Sequence, residues 1–397
     1  MCRREPLSCI IPPHMLRAMA KSSDSDVRRA ALSTLVASAR IRGQREIVGR
    51  VRTAVLSNAP GRKHRSIYNA AHEMMSEWEL PGTLVRDEGQ PPSSDPTINE
   101  AYDGLGATYD YFAEVFNRNS IDDRGMRLVA TVHFGTSFNN AFWNGKQMVF
   151  GDGNDIIFAG FTRSLDVIGH ELTHGVTEFT SNPEYHKQPG ALNESFSDVF
   201  GSLVKQYTRK QDAASADWLI GAELLAPGIG GVALRSLKDP GSAYDDPRLG
   251  GRDPQPKHMS AFVRLPDDEW NDWGGVHINS GIPNHAFYLV ATQLGGNAWE
   301  DAGIIWYDSL LQLWRTAQFQ DCANITAQVA AARFGTESAQ HQAVKTAWAR
   351  VGVPVAAPSP PRRRDRKPAL AEGNGRVLKR QLERLGEELQ KTIVALG

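Results

Sequence analysis

Chain length and composition are those of a folded protein with more than one domain. The 397 residues contain 41% hydrophobic and 22% charged side chains, which excludes a disordered or fibrous chain. Lysine plus arginine total 44 against 45 for aspartate plus glutamate, so the net charge does not indicate nucleic acid as a partner. No apolar run is long enough to span a bilayer. The three cysteines, two of them within the first nine residues, exclude a disulfide framework for the main body.

The N-terminal zone, residues 1–60 with a boundary between 50 and 66, is basic. Between Arg17 and Arg65 there are twelve lysines and arginines against three acidic residues. Pro12 and Pro13 interrupt the apolar stretch near the start, so the long apolar core of a secretory signal peptide is missing. Export, if it occurs, is not indicated in the usual way.

A helix and a cleavable segment are predicted within this zone. Residues 23–43 favour a helix with Asp24 or Ser25 as its N-cap and Gly43 at its end. The basic cluster at residues 61–66 favours an exposed segment that is open to proteolysis. A basic linker or a nucleic-acid arm is the alternative interpretation.

Three further zones follow. Residues 66–165 are rich in strand and turn signals, and residues 127–135 and 146–153 are the clearest strands. Residues 166–355 follow helical periods. Residues 356–397 begin as a Pro/Arg-rich linker and end in leucines at helical spacing. This tail predicts either an amphipathic helix for weak self-association or a frayed solvated end.

The motif HELTH, at residues 170–174, carries the main chemical signal. His170 and His174 are four residues apart, so a helix places both imidazoles on one face, where they can bind one zinc ion. Glu171 lies about 100° further round the helix, within reach of a water next to the metal. This arrangement is a metalloprotease signature, although an ordinary helix with two histidines is the alternative.

A catalytic zinc requires a third protein ligand. Glu194 and Asp198 are again four residues apart and follow His174 after a short connection. We assign Glu194 to the metal and expect Asp198 to accept the outer N–H of a ligating histidine. The alternative for this helix alone is an acidic N-terminus that complements the helix dipole.

A further histidine lies in a glycine-rich segment. His277 follows Asp272 by five residues, and a histidine oriented by a carboxylate can stabilise an oxyanion or move a proton. Taken alone, it is more often a loop histidine without a role.

Five motifs in this order resemble the thermolysin family of zinc endopeptidases, from about Leu80 to Val353. They are NNAFWNG at residues 139–145, HELTH, GALNESFSD at 190–198, GVALRSLKDPG at 231–241 and GGVHINSGIPN at 274–284. The resemblance implies an α+β fold with a strand-rich N-terminal lobe, a mainly helical C-terminal lobe and zinc in the cleft between them. It implies a neutral endopeptidase in which Glu171 assists the attack of zinc-bound water on a peptide bond.

The resemblance also implies individual roles. His277, oriented by Asp272, and Tyr185 would stabilise the tetrahedral intermediate. Asn140 and Ala141 would bind the substrate backbone, and Arg235 a substrate carbonyl. The family likeness further implies cleavage before bulky hydrophobic residues, in a pocket formed by Phe158, Phe161, Val167, Ile220 and Leu234.

The double calcium site of the family is expected to be lost. Asp166 and Asp217 remain at the matching positions, whereas Lys205, Leu219 and Ala222 replace the other ligands. We expect the Lys205 ammonium to lie near Asp166 and to take the place of calcium. Residues 151–155 resemble a calcium loop only faintly and favour a turn.

The N-terminal zone resembles the short precursor segments of protealysin-type members. The likeness implies an inhibitory propeptide that covers the cleft and is removed by a cut between Arg50 and Ile67. A further hypothesis is that Cys9 lends a thiolate to zinc in the latent enzyme; the alternative is that it is a small buried hydrophobic residue.

The sequence therefore predicts a zymogen that is secreted and cleaves proteins or peptides. A catalytically silent, zinc-stabilised interaction protein is one alternative, and a cytoplasmic peptidase-like regulator is another. Retention of Glu171, Tyr185 and His277 argues against the silent protein, because a structural zinc site needs none of them.

Overall fold

A computed structural model describes residues 8–48 and 62–356. Two expectations lie partly or wholly outside these residues. They are the maturation cut, insofar as it falls at residues 50–61, and the self-associating helix of the tail.

One mixed sheet contains six strands of the described chain. They are β1 (Ser8–Cys9), β2 (Arg65–Asn69), β3 (Thr83–Asp87), β4 (Leu128–Val132), β5 (Ala141–Trp143) and β6 (Met148–Phe150). Their order is β1-β5-β6-β4-β2-β3. Strands β2, β4 and β6 run parallel, and the remaining pairs are antiparallel. The N-terminal zone thus supplies the strand that pairs with β5.

Helices dominate the rest of the described chain. They are α1 (Pro13–Met19), α2 (Ser25–Val48), α3 (Pro96–Phe116), α4 (Leu165–Glu178), α5 (Lys187–Arg209), α6 (Asp272–Asn279), α7 (Gly281–Leu294), α8 (Asp301–Leu310), α9 (Phe319–Phe334) and α10 (Ala339–Arg350). Two short ribbons pair β7 (Leu219–Ile220) with β8 (Arg235–Ser236) and β9 (Asp245–Asp246) with β10 (Gly251–Arg252). None of the described helices is both long enough and apolar enough to cross a membrane.

The expected division into a strand-containing N-terminal region and a helical C-terminal region is confirmed. Strands β4 and β6 lie inside the two segments predicted as strands. The long helix α3 was not expected, since Gly104 and Gly106 weaken its helical pattern. Gly104 is needed for packing, because a Cβ there would lie 2.3 Å from Cδ1 of Ile168 on α4.

Two expectations for the N-terminal zone are wrong in part. Asp24 caps α2 by accepting a hydrogen bond from Asp26 N at 2.8 Å, but the helix continues past Gly43 to Val48. Tertiary contacts hold both sides of Gly43, since Arg42 pairs with Glu269 and Gln44 Oε1 accepts from Glu77 N at 3.0 Å.

The segment at residues 61–66 is not fully exposed. Arg65 and Ser66 belong to β2, and Ser66 is buried. Lys63 pairs with Asp110 at 2.6 Å, and Arg65 forms an ion pair with Glu88. Strand pairing and these ion pairs hold the end of the segment, which the sequence pattern does not reveal.

Helices α4 and α5 pack unusually closely, and this contact positions the site. A Cβ on Gly201 would lie 2.4 Å from the Asp166 carbonyl oxygen, and one on Gly169 would lie 3.1 Å from Gly201 Cα. Glycine at both positions therefore lets the two backbones approach. As a result, side chains one turn apart on each helix meet in a single buried space.

Candidate active site

The facing sides of α4 and α5 bring three predicted metal ligands together. Ligand atoms of His170, His174 and Glu194 all lie within 4.8 Å of one another, and all three residues are buried. The two histidine Nε2 atoms are 3.0 Å apart. Glu194 Oε2 lies 3.5 Å from His170 Nε2, and Glu194 Oε1 lies 3.6 Å from His174 Nε2.

The outer nitrogens of both histidines are held by hydrogen bonds. His170 Nδ1 donates to Asp198 Oδ1 at 2.8 Å. His174 Nδ1 donates to Asn193 Oδ1 at 2.8 Å and lies 3.0 Å from Ser197 Oγ. Because each proton is on Nδ1, the Nε2 lone pairs of both rings point into the same space.

This donor set fits a divalent metal such as zinc. Two lone pairs that face each other at 3.0 Å repel unless a cation lies between them. Glu194 Oε2 is buried without a hydrogen-bond partner among the described residues, which supplies a third donor. Two imidazoles and one carboxylate are a ligand set typical of catalytic zinc.

Asp198 joins the metal ligands to Arg235. Its carboxylate accepts from Arg235 Nε and Nη2, each at 2.9 Å, and from Asn284 Nδ2 at 2.9 Å. Burial opposes ionisation of Asp198, but the charge of Arg235 and the hydrogen bond from His170 hold its pKa well below the usual range. The aspartate therefore remains charged and fixes both side chains.

Glu171 lies beside the metal ligands, at the edge of β5. Its Oε2 accepts from Trp143 N at 3.0 Å, and the side chain is fully buried. Burial and the neighbouring charge of Glu194 raise the pKa of Glu171 well above its ordinary value. A carboxylate with a raised pKa is a stronger base, which suits a general base.

His277 faces the ligands from α6. The backbone from Asp272 to Gly275 is left-handed, with φ between 49° and 84°. This turn places the Asp272 carboxylate next to His277. Asp272 accepts from His277 Nδ1 at 2.5 Å and from its backbone N at 2.9 Å. Burial opposes protonation, but Glu194 and Asp272 raise the pKa of His277 to about 9. The expected glycine-rich loop is thus a strained turn that leads into a short helix.

Tyr185 completes this side of the site. Its hydroxyl donates to Glu194 Oε1 and lies 3.4 Å from His277 Nε2. Tyr185 and His277, both expected to stabilise the tetrahedral intermediate, therefore face the same space.

The N-terminal segment lies along the site with four backbone contacts. Ile10 N donates to Ala141 O at 3.2 Å, and Ile11 N donates to Asn140 Oδ1 at 3.0 Å. Arg235 Nη1 donates to the Ile10 carbonyl at 3.0 Å. His277 Nε2 donates to the Cys9 carbonyl at 2.8 Å. The groups expected to bind substrate backbone are thus occupied by this segment.

The expected apolar pocket is part of the buried core. Ile10 is fully buried in the same hydrophobic cluster as the five expected lining residues, Phe158, Phe161, Val167, Ile220 and Leu234. Arg235 borders the segment through its bond to the Ile10 carbonyl. Ile10 is the residue directly after Cys9, whose carbonyl accepts from His277.

Cys9 is not one of the clustered metal-binding atoms, because that group contains His170, His174 and Glu194. Its side chain packs in a second hydrophobic cluster with Phe138, Phe142 and Ile41. Burial raises the pKa of the Cys9 thiol to about 12, which disfavours a thiolate. The structure gives the thiolate hypothesis no support.

Comparison with known proteins agrees with this geometry. Residues 55–178 match the family model described as "Thermolysin metallopeptidase, catalytic domain", and residues 181–353 match "Thermolysin metallopeptidase, alpha-helical domain". An "Extracellular metalloprotease" of Pectobacterium carotovorum subsp. carotovorum is 47% identical over 365 residues, which cover 89% of this chain and 98% of the relative.

The chain belongs to the thermolysin family of metallopeptidases.

Two more relatives place this thermolysin-family enzyme among proteases. "Protease PrtS" of Photorhabdus sp. (strain Az29) is 53% identical over 294 residues, 74% of this chain and 77% of the relative. A solved structure, "Precursor of Protealysin, Metalloproteinase from Serratia proteamaculans", is 48% identical, with a TM-score of 0.78. The match covers 87% of this chain and 99% of that one.

The predicted family, fold class and enzyme class are confirmed. The thermolysin-family enzyme is a zinc-dependent metalloendopeptidase, and a propeptide in cis agrees with the precursor that it resembles. The individual roles of the site residues stay predictions.

Sequence reasoning missed several residues of the site. Asn193 and Ser197 contact the outer nitrogen of His174, Asn284 donates to Asp198, and Trp143 N donates to Glu171. Asn193 directly precedes Glu194, and the outer nitrogen of His174 had no predicted partner. That missing partner was the signal that could have pointed to Asn193. The carbonyls of Cys9 and Ile10 carry no side-chain signal at all.

Replacement of Asn193 tests its support of His174. We expect Asn193→Ala to weaken zinc binding by about 10- to 100-fold, because His174 loses the partner that fixes its ring. Competition with a chromophoric chelator measures the affinity. Asn297→Ala, which removes a surface amide bonded to Glu300, is the matched control. Unchanged zinc affinity in Asn193→Ala would show that Ser197 alone orients the ring.

Proposed function

We propose that this enzyme hydrolyses peptide bonds with Glu171 as general base and with His170, His174 and Glu194 as zinc ligands. When bound there, zinc supplies Lewis-acid chemistry that polarises a carbonyl and lowers the pKa of water. The observation that carries the proposal is the N-terminal segment, whose backbone meets Ala141, Asn140, Arg235 and His277 as a substrate would.

Glu171 accepts the proton of the attacking water and later delivers it to the leaving amine. Its raised pKa suits both transfers, and the bond from Trp143 N fixes the carboxylate at the edge of β5. The amine is that of the residue whose N–H is bonded to Ala141 O, the position of Ile10 in the segment.

His277 and Tyr185 stabilise the oxyanion of the tetrahedral intermediate. His277 Nε2 already donates to the Cys9 carbonyl, which marks where a scissile carbonyl would lie. Asp272 holds the ring through Nδ1, so the proton on Nε2 points at this oxygen. Preorganised donors of this kind supply much of the catalysis of acyl transfer.

The enzyme cleaves before bulky hydrophobic residues. Ile10 occupies the position directly after the carbonyl held by His277 and is fully buried with Phe158, Phe161 and Leu234. Arg235 holds the carbonyl of the same residue at 3.0 Å. An aliphatic or aromatic side chain gains burial in this pocket, whereas a charged side chain loses solvation.

The N-terminal zone keeps the enzyme latent. β1 pairs with β5, and the residues after it bond to the Asn140 side-chain oxygen and the Ala141 carbonyl, so substrate cannot reach these two groups. Removal of the zone requires a cut before β2, because the residues from Arg65 onwards belong to the sheet. Such a cut, with loss of the segment, would open the cleft.

The enzyme acts outside the cell and needs no calcium pair. One of the relatives is named an extracellular metalloprotease, which supports export of this chain. Detection of the protein in the culture medium of its producing cells would test this.

Lys205 Nζ contacts Asp166 Oδ2 at 2.7 Å, Asp217 Oδ1 at 2.9 Å and the Leu219 carbonyl at 2.8 Å. The lysine thus supplies one positive charge that both remaining carboxylates share.

Glu171→Gln tests the general base. We expect turnover of a peptide substrate to fall by at least about 100-fold while zinc stays bound, because an amide cannot take the proton. Peptidase assays and zinc analysis of the same samples measure this. Glu178→Gln on the same helix, where the glutamate bonds to Trp143 Nε1, is the control. Peptidase activity of Glu171→Gln equal to that of the parent would refute the assignment.

Ile10→Asp tests latency in the full-length chain. A carboxylate in the apolar pocket replaces a side chain whose burial contributes about 1.5–3 kcal/mol, so the segment should leave the cleft more often. We expect the unprocessed chain to hydrolyse a short fluorogenic peptide about tenfold faster or more. Leu32→Asp, at a position 49% exposed on α2, is the control. Equal rates for Ile10→Asp and parent would mean that the segment does not block the site.

Lys205→Met tests the replacement of calcium. Asp166 is fully buried, so loss of its cation should cost about 3–5 kcal/mol of the free energy of unfolding. Urea unfolding in zinc-saturated buffer measures this, and calcium should leave the parent's midpoint unchanged. Lys257→Met breaks an exposed pair with Asp239 and should cost about 1 kcal/mol or less. A calcium-dependent midpoint in the parent would contradict the proposal.

A further inference from the structure

A second group of metal-binding side chains lies at the edge of the sheet. His72, His133 and Asp152 offer ligand atoms that all lie within 4.8 Å of one another. They belong to the connections that follow β2, β4 and β6, which are parallel neighbours. The carboxyl ends of parallel strands meet at one edge of a sheet, and ligands commonly bind there.

The three side chains converge on the Asp152 carboxylate. His72 Nδ1 lies 3.1 Å from Asp152 Oδ2, and His133 Nδ1 lies 3.0 Å from each carboxylate oxygen. The two imidazole ring centres are 5.1 Å apart. Tetrahedral zinc with ligand bonds of about 2.0–2.2 Å places its donor atoms about 3.3–3.6 Å apart, so these contacts need only a small expansion to hold one ion.

A fourth residue orients His133 from outside the group. Asp95 Oδ2 lies 2.8 Å from His133 Nε2, while Asp95 Oδ1 accepts from Thr97 N at 2.9 Å at the start of α3. A carboxylate on the outer nitrogen of a ligating histidine fixes the ring and raises its basicity. The arrangement repeats the relation of Asp198 to His170 in the catalytic cleft.

We propose that His72, His133 and Asp152 form a second site for a transition-metal ion such as zinc, separate from the catalytic site. Two imidazoles and one carboxylate favour zinc, cobalt or nickel over calcium, which prefers oxygen ligands. The histidine His72 is 59% exposed, so the fourth position is open to solvent. The ion exchanges more readily than the catalytic zinc, whose ligands are buried.

Without a metal, a proton holds this group together. Hydrogen bonds to Asp152 and Asp95 raise the pKa of His133 to about 9 despite partial burial. The metal replaces the proton on His133 Nδ1, which passes to solvent, while Nε2 keeps its bond to Asp95. A pure ion-pair network without metal affinity is therefore the competing interpretation.

The site connects three strand ends to the substrate-binding strand. His72 N donates to the His133 carbonyl at 2.9 Å, and Gly151 N, next to Asp152, donates to the Asn140 carbonyl at 3.0 Å. An ion held here ties the ends of β2, β4 and β6 together beside Asn140. Because it binds the folded chain, it also raises the unfolding midpoint as the logarithm of free zinc increases.

Metal stoichiometry tests the proposal in the full-length Glu171→Gln chain, which keeps both groups of ligands and does not process itself. After equilibration with buffered zinc, elemental analysis should find a second zinc ion per chain. The variant His72→Ala should lose that ion and keep the catalytic one. The double variant that combines His170→Ala with His174→Ala should lose the catalytic ion and keep the second ion.

His341→Ala, which replaces a surface histidine bonded to the Thr336 carbonyl, is the matched control and should keep both ions. His72 is half-exposed, so its replacement by alanine leaves the core intact, and the rise of the unfolding midpoint with free zinc should be smaller in His72→Ala than in the parent, because only the catalytic ion still binds. A single zinc ion in the parent, or a second ion that survives in His72→Ala, would overturn the proposal. Neither outcome affects the catalytic assignment, which rests on the other variants.

Discussion

The buried carboxylate of Asp198 is the contact on which the catalytic cleft depends. It accepts from His170, a predicted metal ligand, from Arg235, which holds a backbone carbonyl, and from Asn284 on α7. A charge that is fully buried must be compensated in this way, because loss of one partner leaves the others facing an unpaired ion. One aspartate therefore fixes the metal side and the substrate side of the cleft relative to each other.

In the proposed mechanism, latency and catalysis use the same hydrogen-bonding groups. The segment from Cys9 to Ile11 is recognised mainly through its backbone, by Ala141, Asn140, Arg235 and His277. Backbone recognition along a strand edge does not depend on side-chain identity, so a protease that accepts many substrates can also accept its own N-terminal zone. Ile10 adds a buried apolar side chain at the position where a preferred substrate would also carry one.

Two groups of carboxylates in the fold obtain their positive charge in different ways. Lys205 supplies it for Asp166 and Asp217 through a covalently attached ammonium. A protonated His133 or a bound metal supplies it between Asp95 and Asp152. A lysine cannot be removed by chelation, whereas a metal between histidines can be exchanged. The first arrangement thus gives constant stability, and the second gives stability that depends on available metal.

The sequence by itself determined the chemistry of the site. Residues four apart on a helix lie on the same face. The spacing of His170 and His174, and that of Glu194 and Asp198, was therefore enough to predict that each pair lies on one helical face. The order of the five motifs was enough to predict the family and the division into strand-containing and helical regions. The position of Lys205 near Asp166 was also foreseen, since it depends on the same helical face.

Only the tertiary structure decided what depends on contacts between distant segments. α3 forms despite its glycines because α4 packs against Gly104, and α2 passes Gly43 because Arg42 and Gln44 are held from outside. The partners of His174, the carbonyls beside His277 and the group at His72 and His133 join residues far apart in the chain. Such contacts leave no periodic trace in a sequence, because they are set by packing between elements and by backbone atoms that every residue shares.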